Sequence, residues 1–187
     1  MERSDRDDGS GPITGDTAGG VLVFNGIPYA APPIGPRRWR PRQPPIPWTA
    51  RLDATRFGAS CPQPQRQDRG GDAGPTDESC FFLNVWTKAQ DGKRPVMVWI
   101  HGGAFRPGSG SMATYDGTRF PQSGVVLVTL NYRLGRFGFF SAPNAKHRRA
   151  VVPNPSRRAR RRHARARAPV LCTDAVRYLD NLLAQPN

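Results

Sequence analysis

The sequence predicts an α/β fold, with a central, mostly parallel sheet whose domain is incomplete. Two observations carry this expectation. Residues 96–100 and 125–132 are apolar runs of strand length, each leading into a glycine-punctuated segment. Only residues 174–184 show helical spacing, and one helix cannot cover both faces of a buried sheet.

The elements follow in chain order. Residues 1–20 are rich in Asp, Gly, Ser and Thr and read as a flexible N-terminus. The stretch from Met1 to Asp8 is acidic and polar with no apolar core behind it, so no signal peptide is visible and a cytoplasmic location is expected. Val21-Leu22-Val23-Phe24 reads as a short strand, ended by Asn25-Gly26, a hairpin-type turn signal. Residues 26–64 hold 10 of the 20 prolines, which predicts an extended, irregular path over a surface. Phe81-Phe82-Leu83-Asn84-Val85-Trp86 has strand composition. Asp91-Gly92 marks a turn, and Pro95 opens the run 96–100, read as a strand buried on both faces.

A Gly-rich segment, 101–110, follows, then the apolar strand 125–132 and an aromatic connection from Leu134 to Phe140. Near the end, Thr173 is placed to cap a helix with Asp174 in its first turn. Val176, Leu179, Leu182 and Leu183 would share one face of it.

Composition removes several classes. Gly and Pro make up 40 of 187 residues, but Gly keeps no three-residue period, which excludes a collagen-like chain. No run approaches the roughly 20 apolar residues of a spanning helix, and scattered prolines exclude a coiled coil.

The net charge of +14 is a local block rather than a property of the whole chain. Residues 1–144 hold 17 Lys/Arg and 12 Asp/Glu, whereas residues 145–187 hold 11 and 2. Ten of those bases lie between Lys146 and Arg167 with no acid among them. Such a block fits a phosphate-binding arm, a solvated disordered tail, or a stretch of GC-rich coding sequence read in a shifted frame.

Of the three cysteines, Cys61 and Cys80 flank a polar loop that a disulfide would staple by about 3 kcal/mol. Two reduced thiols fit the composition as well, and an odd count argues little for a disulfide framework.

The stretch that carries chemistry is Val98-Trp99-Ile100-His101-Gly102-Gly103-Ala104-Phe105. A strand runs straight into residues without bulky side chains, so a ligand atom can approach adjacent backbone N–H groups. Such groups hold a developing oxyanion, as in the His-Gly-Gly loops of lipases and esterases.

Further blocks of the chain match one family. Gly26 to Gly35 resembles the segment "GIPYAxPPxG" of the type-B carboxylesterases, the cholinesterase-like α/β-hydrolases, and Arg38-Trp39 with residues 41–48 continues it. Glu78 to Trp86 resembles "EDCLYLNVW", and Val96 to Phe105 resembles "VMVWIHGGGF". Residues 128–139 resemble "VxxNYRxGxxGF".

The resemblance covers about residues 20–141. It implies the N-terminal part of an α/β-hydrolase fold, a serine esterase ancestry, and a small-molecule carboxylic ester as substrate. Gly103 and Ala104 match the oxyanion-hole donors, and Gly102 is expected to shape the turn. Cys61 and Cys80 match the family's first disulfide. His101 belongs to the loop and is not the triad histidine. Ser79 stands where the family usually has Asp, which predicts a weakened local hydrogen bond or ion pair. Trp99 and Phe105 are expected to pack around the loop rather than touch substrate, with lining of a pocket as the alternative for Phe105. No cofactor and no metal are expected.

The triad itself is missing. The nucleophile of this family sits in a G-x-S-x-G elbow after the oxyanion loop. Ser109, Ser111, Ser123, Ser141 and Ser156 are preceded two places earlier by Pro107, Ser109, Pro121, Phe139 and Asn154, never by glycine. His147 and His163 lie inside the basic block.

The chain is therefore expected to comprise a flexible stretch 1–20, a partial carboxylesterase domain 21–144, and a basic tail 145–187 that is disordered or frame-shifted. On this reading it is a truncated family member, inactive alone. The alternative is a non-catalytic protein with a degenerate core, whose basic tail binds nucleic acid or an anionic membrane surface. That tail has no aromatic residue between Lys146 and Arg167, so it would grip phosphates without sequence specificity.

Overall fold

The computed structural model describes residues 11–64, 73–88 and 94–140. Seven strands, one short α-helix and three single-turn 3-10 helices are present there. Five strands form one sheet, in the order β2 (Asp16–Ala18), β3 (Val21–Pro28), β5 (Phe82–Thr87), β7 (Val126–Leu130), β6 (Val96–Ile100). The pairs β2–β3, β3–β5 and β5–β7 are antiparallel, and β6–β7 is parallel. This part of the α/β sheet is therefore mixed. Two further short strands, β1 (Ile13–Thr14) and β4 (Leu52–Asp53), pair in parallel beside it. The helix α1 (Gly135–Phe139) occupies the connection past β7.

Burial follows composition in the middle of the sheet. Every residue of β7 is buried, and β5 is buried from Leu83 onward. Ile27, Leu83, Val85, Val128, Leu130 and Leu134 form the centre of the larger apolar cluster.

Three expectations are corrected. The first concerns residues 11–20, which are not frayed. Asp16–Ala18 pairs with Val21–Val23 across Gly19-Gly20, whose φ values of 58° and 76° suit a two-residue hairpin turn.

The second concerns Asn25-Gly26, which does not end β3. The strand continues to Pro28 with a register shift between Phe24 and Ile27. Gly26 takes φ 69° there, and its N–H donates to Asn84 Oδ1 at 2.9 Å. This is a bulge, which needs the same left-handed glycine as a turn. A Cβ on Gly26 would also fall 2.6 Å from the carbonyl oxygen of Arg56.

The third concerns β6, which is not buried on both faces. Met97, Trp99 and Ile100 are 43–45% exposed. Among the described residues β6 pairs with β7 alone, so it stands at an edge.

The apolar strand expected at 125–132 is present as β7, and the polar members of this stretch are buried and bonded. Thr129 Oγ1 donates to the carbonyl of Gly110 at 2.8 Å, and Asn131 Oδ1 accepts from Gly110 N–H at 2.8 Å.

The turn expected at Asp91-Gly92, the helix 174–184 and the Arg-rich block lie outside the described residues.

Candidate functional site

The parallel pair β6–β7 delivers the site. β6 ends at Ile100, and the chain turns through His101, Gly102 and Gly103. His101 is buried, stacks on Tyr132 with ring centroids 4.4 Å apart, and pairs through Nδ1 with the carbonyl of Gly102 at 2.9 Å. Burial pulls its pKa below the ordinary histidine value. A neutral, buried ring bonded to its own loop is a structural element, in keeping with the role expected for it.

Three successive residues carry the turn in the left-handed region: Gly103 (φ 119°), Ala104 (φ 51°) and Phe105 (φ 61°). Non-glycine residues seldom adopt such φ values, so the surroundings must hold them there. They do so through two backbone bonds: Arg106 N–H donates to Gly103 O at 3.0 Å, and Gly135 N–H donates to Phe105 O at 2.7 Å. Phe105 also packs on Phe139 of α1, with ring centroids 4.5 Å apart.

Glycine is obligatory at 103, because a Cβ there would sit 1.8 Å from Pro107 O. Gly102 differs from its expected role. Its φ lies outside the left-handed range and a Cβ on it would meet nothing within 4 Å, so the turn is shaped by the residues after it. Among the described residues, the N–H groups of Gly103 and Ala104 meet no acceptor, and both residues are exposed.

Behind this turn lies a buried polar network that the sequence reading missed. Ser109 Oγ donates to Asn131 Oδ1 at 3.1 Å, and Ser60 Oγ donates to Ser109 Oγ at 2.7 Å. Asn84 Nδ2 donates to Thr129 Oγ1 at 2.9 Å, and Asn131 Nδ2 to the carbonyl of Ala59 at 3.1 Å. The signal was available as single polar residues inside apolar runs, since a buried amide must find partners. Gln63 adds a two-way clamp: its Oε1 accepts from Gly108 N–H at 2.7 Å and its Nε2 donates to Gly108 O at 2.8 Å.

Cys61 and Cys80 form a disulfide, both buried, with Cα atoms 4.9 Å apart. It ties the segment carrying Ser60 and Gln63 to the start of β5. Near it, Ser79 N–H donates to Asp77 Oδ1 at 2.6 Å, and the ion pair of Arg38 with Glu78 is intact beside the substituted position. Trp99 packs on Tyr115 at 5.4 Å, so both aromatic residues flanking the glycines make packing contacts.

Among the described residues, no cluster of three His, Cys, Asp or Glu is placed to hold a metal ion. No helix among them is long and apolar enough to cross a membrane.

A strand running into a left-handed glycine turn with free N–H groups, on a mixed sheet, is the architecture of an α/β-hydrolase. The model of the carboxylesterase family matches residues 8–149, and the chain belongs to that family. It is 46% identical over 136 residues to a fumonisin B1 esterase of Sphingopyxis macrogoltabida, covering 72% of this chain and 25% of that protein. Over 133 residues it is 46% identical to the para-nitrobenzyl esterase of Bacillus subtilis, covering 69% and 27%. A carboxylesterase structure from Geobacillus stearothermophilus aligns with TM-score 0.63 at 46% identity, over 68% of this chain and 26% of that one. A thermophilic para-nitrobenzyl esterase structure aligns with TM-score 0.66 at 44% identity, over 72% and 29%. The chain thus spans about a quarter of the length of the curated relatives it matches.

Proposed function

We propose that this chain carries the oxyanion-binding part of a serine carboxylesterase, with Gly103 and Ala104 as its donors. When a serine attacks an ester carbonyl, negative charge gathers on the carbonyl oxygen, and two preorganised N–H groups would receive it. Losing one such donor costs about 3–4 kcal/mol of transition-state stabilisation.

The observation that carries this reading is the braced left-handed run from Gly103 to Phe105, whose first two N–H groups are unpaired among the described residues. Relatives named as esterases support a small carboxylic ester as the substrate class.

The sequence holds no G-x-S-x-G elbow, so it supplies neither the nucleophile nor the further N–H that follows it. The purified 187-residue chain is expected to hydrolyse a 4-nitrophenyl ester no faster than buffer does. Robust turnover, abolished by a serine-directed phosphonate, would overturn this reading.

A further inference from the structure

Beside the left-handed turn lies a cavity of about 500 Å³. Its walls come from three segments: Pro62 and Gln63 next to the disulfide, Arg106 two residues past Ala104, and Leu134, Arg136 and Phe137 at the start of α1. The walls are fixed to the site described above. Gln63 is clamped to Gly108 on both sides, and Gly135 N–H is bonded to Phe105 O. Trp39 Nε1 donates to the carbonyl of Arg136 at 3.0 Å and holds the third wall.

Among the described residues the charge of this cavity is one-sided: two guanidinium groups line it and no carboxylate does. Among the described residues neither Arg106 nor Arg136 has an acidic partner. The guanidinium carbon of Arg136 lies 5.6 Å from the centre of the Phe137 ring. The nearby acid Glu78 is paired with Arg38 through Oε2, while its Oε1 meets no partner among the described residues.

Guanidinium groups flanked by apolar walls select an amphipathic anion, because the planar fork pairs with a carboxylate while the walls cover the carbon chain.

We infer that this cavity is a subsite for an anionic arm of the ester substrate. The preferred substrates are then esters that carry a second, ionised acid group, with Arg106 and Arg136 as the specificity-determining residues. This inference rests on the ester-binding reading of the Gly103–Ala104 turn. A positive cavity next to an oxyanion site would both attract the charged ester and orient its carbonyl toward the turn.

The test is a calorimetric titration of the full chain with two benzyl esters of similar shape at low salt. Monobenzyl succinate carries one carboxylate and benzyl butyrate is neutral. Monobenzyl succinate is expected to bind about tenfold more tightly, the size of one charge-assisted contact. In the double variant Arg106→Gln/Arg136→Gln this preference should fall at least fivefold, with benzyl butyrate binding unchanged. Equal binding of the two esters to the unmodified chain would overturn the inference. So would a preference that persists in the double variant, since it would belong to the basic block between Lys146 and Arg167. If succinate alone binds as well as its benzyl ester and depends on the same two arginines, the anion subsite stands and the ester reading fails.

Discussion

Tyr132 Oη donates a 2.7 Å hydrogen bond to the carbonyl of His101, while its ring stacks on the imidazole within 15° of parallel. The second residue past β7 thereby fixes the first residue past β6, and with it the origin of the glycine turn. Removing the hydroxyl alone tests how far this contact anchors the loop. Tyr132→Phe keeps the stacking but strands a buried carbonyl, and a loss of about 1–3 kcal/mol in urea unfolding is expected.

Protonation of His101 should act against the fold. Its pKa in the folded chain is lowered by burial from the ordinary 6.5, so the unfolded chain binds the proton more readily. Stability is then full above about pH 6.5 and falls as pH drops below it toward the folded-state value. Chemical denaturation of the native chain and of His101→Gln, measured from pH 8 to 5, should show a steeper acid decline in the native chain. Parallel curves would contradict this role.

The Cys61–Cys80 bridge closes a loop with a sequence separation of 19. Reducing it, or replacing both residues by Ser, should lower stability by about 3 kcal/mol. Thermal unfolding with and without a reductant would measure this directly. The serine variant should be insensitive to the reductant.

Gly103→Ala is expected to be far more damaging than Gly102→Ala. The first places a Cβ 1.8 Å from Pro107 O at a left-handed φ, whereas the second meets open space. A loss of at least ~2 kcal/mol is expected for Gly103→Ala, with Gly102→Ala within about 0.5 kcal/mol of the native chain. Equal effects would show that the turn is not built as described.

Much of the site was legible because its residues leave little choice. A strand followed by His101-Gly102-Gly103 announces a backbone-lined turn, and the conformation puts the strain at Ala104 and Phe105, the two residues after Gly103. The matching family segments placed Cys61 with Cys80, and the bond is present.

Other features were not legible, for identifiable reasons. Asn25-Gly26 has the composition of a hairpin turn, but a bulge requires the same left-handed glycine, and only pairing partners distinguish them. Gly19-Gly20 carried a hairpin signal that the polar composition around it obscured. The apolar run of β6 shows that its faces favour cover, not that a neighbour is there to cover them. The network through Asn84, Ser109 and Asn131 depends on contacts between residues up to 72 apart in sequence, which local patterning does not encode.

The proposed role of the Gly103 and Ala104 N–H groups is to receive an oxyanion. Amide NMR of the full chain during titration with methylphosphonate, a tetrahedral oxyanion, tests it most directly. Saturable shifts are expected, largest at Gly103 and Ala104 among residues 94–140. Shifts at these two amides no larger than those of their neighbours would contradict it.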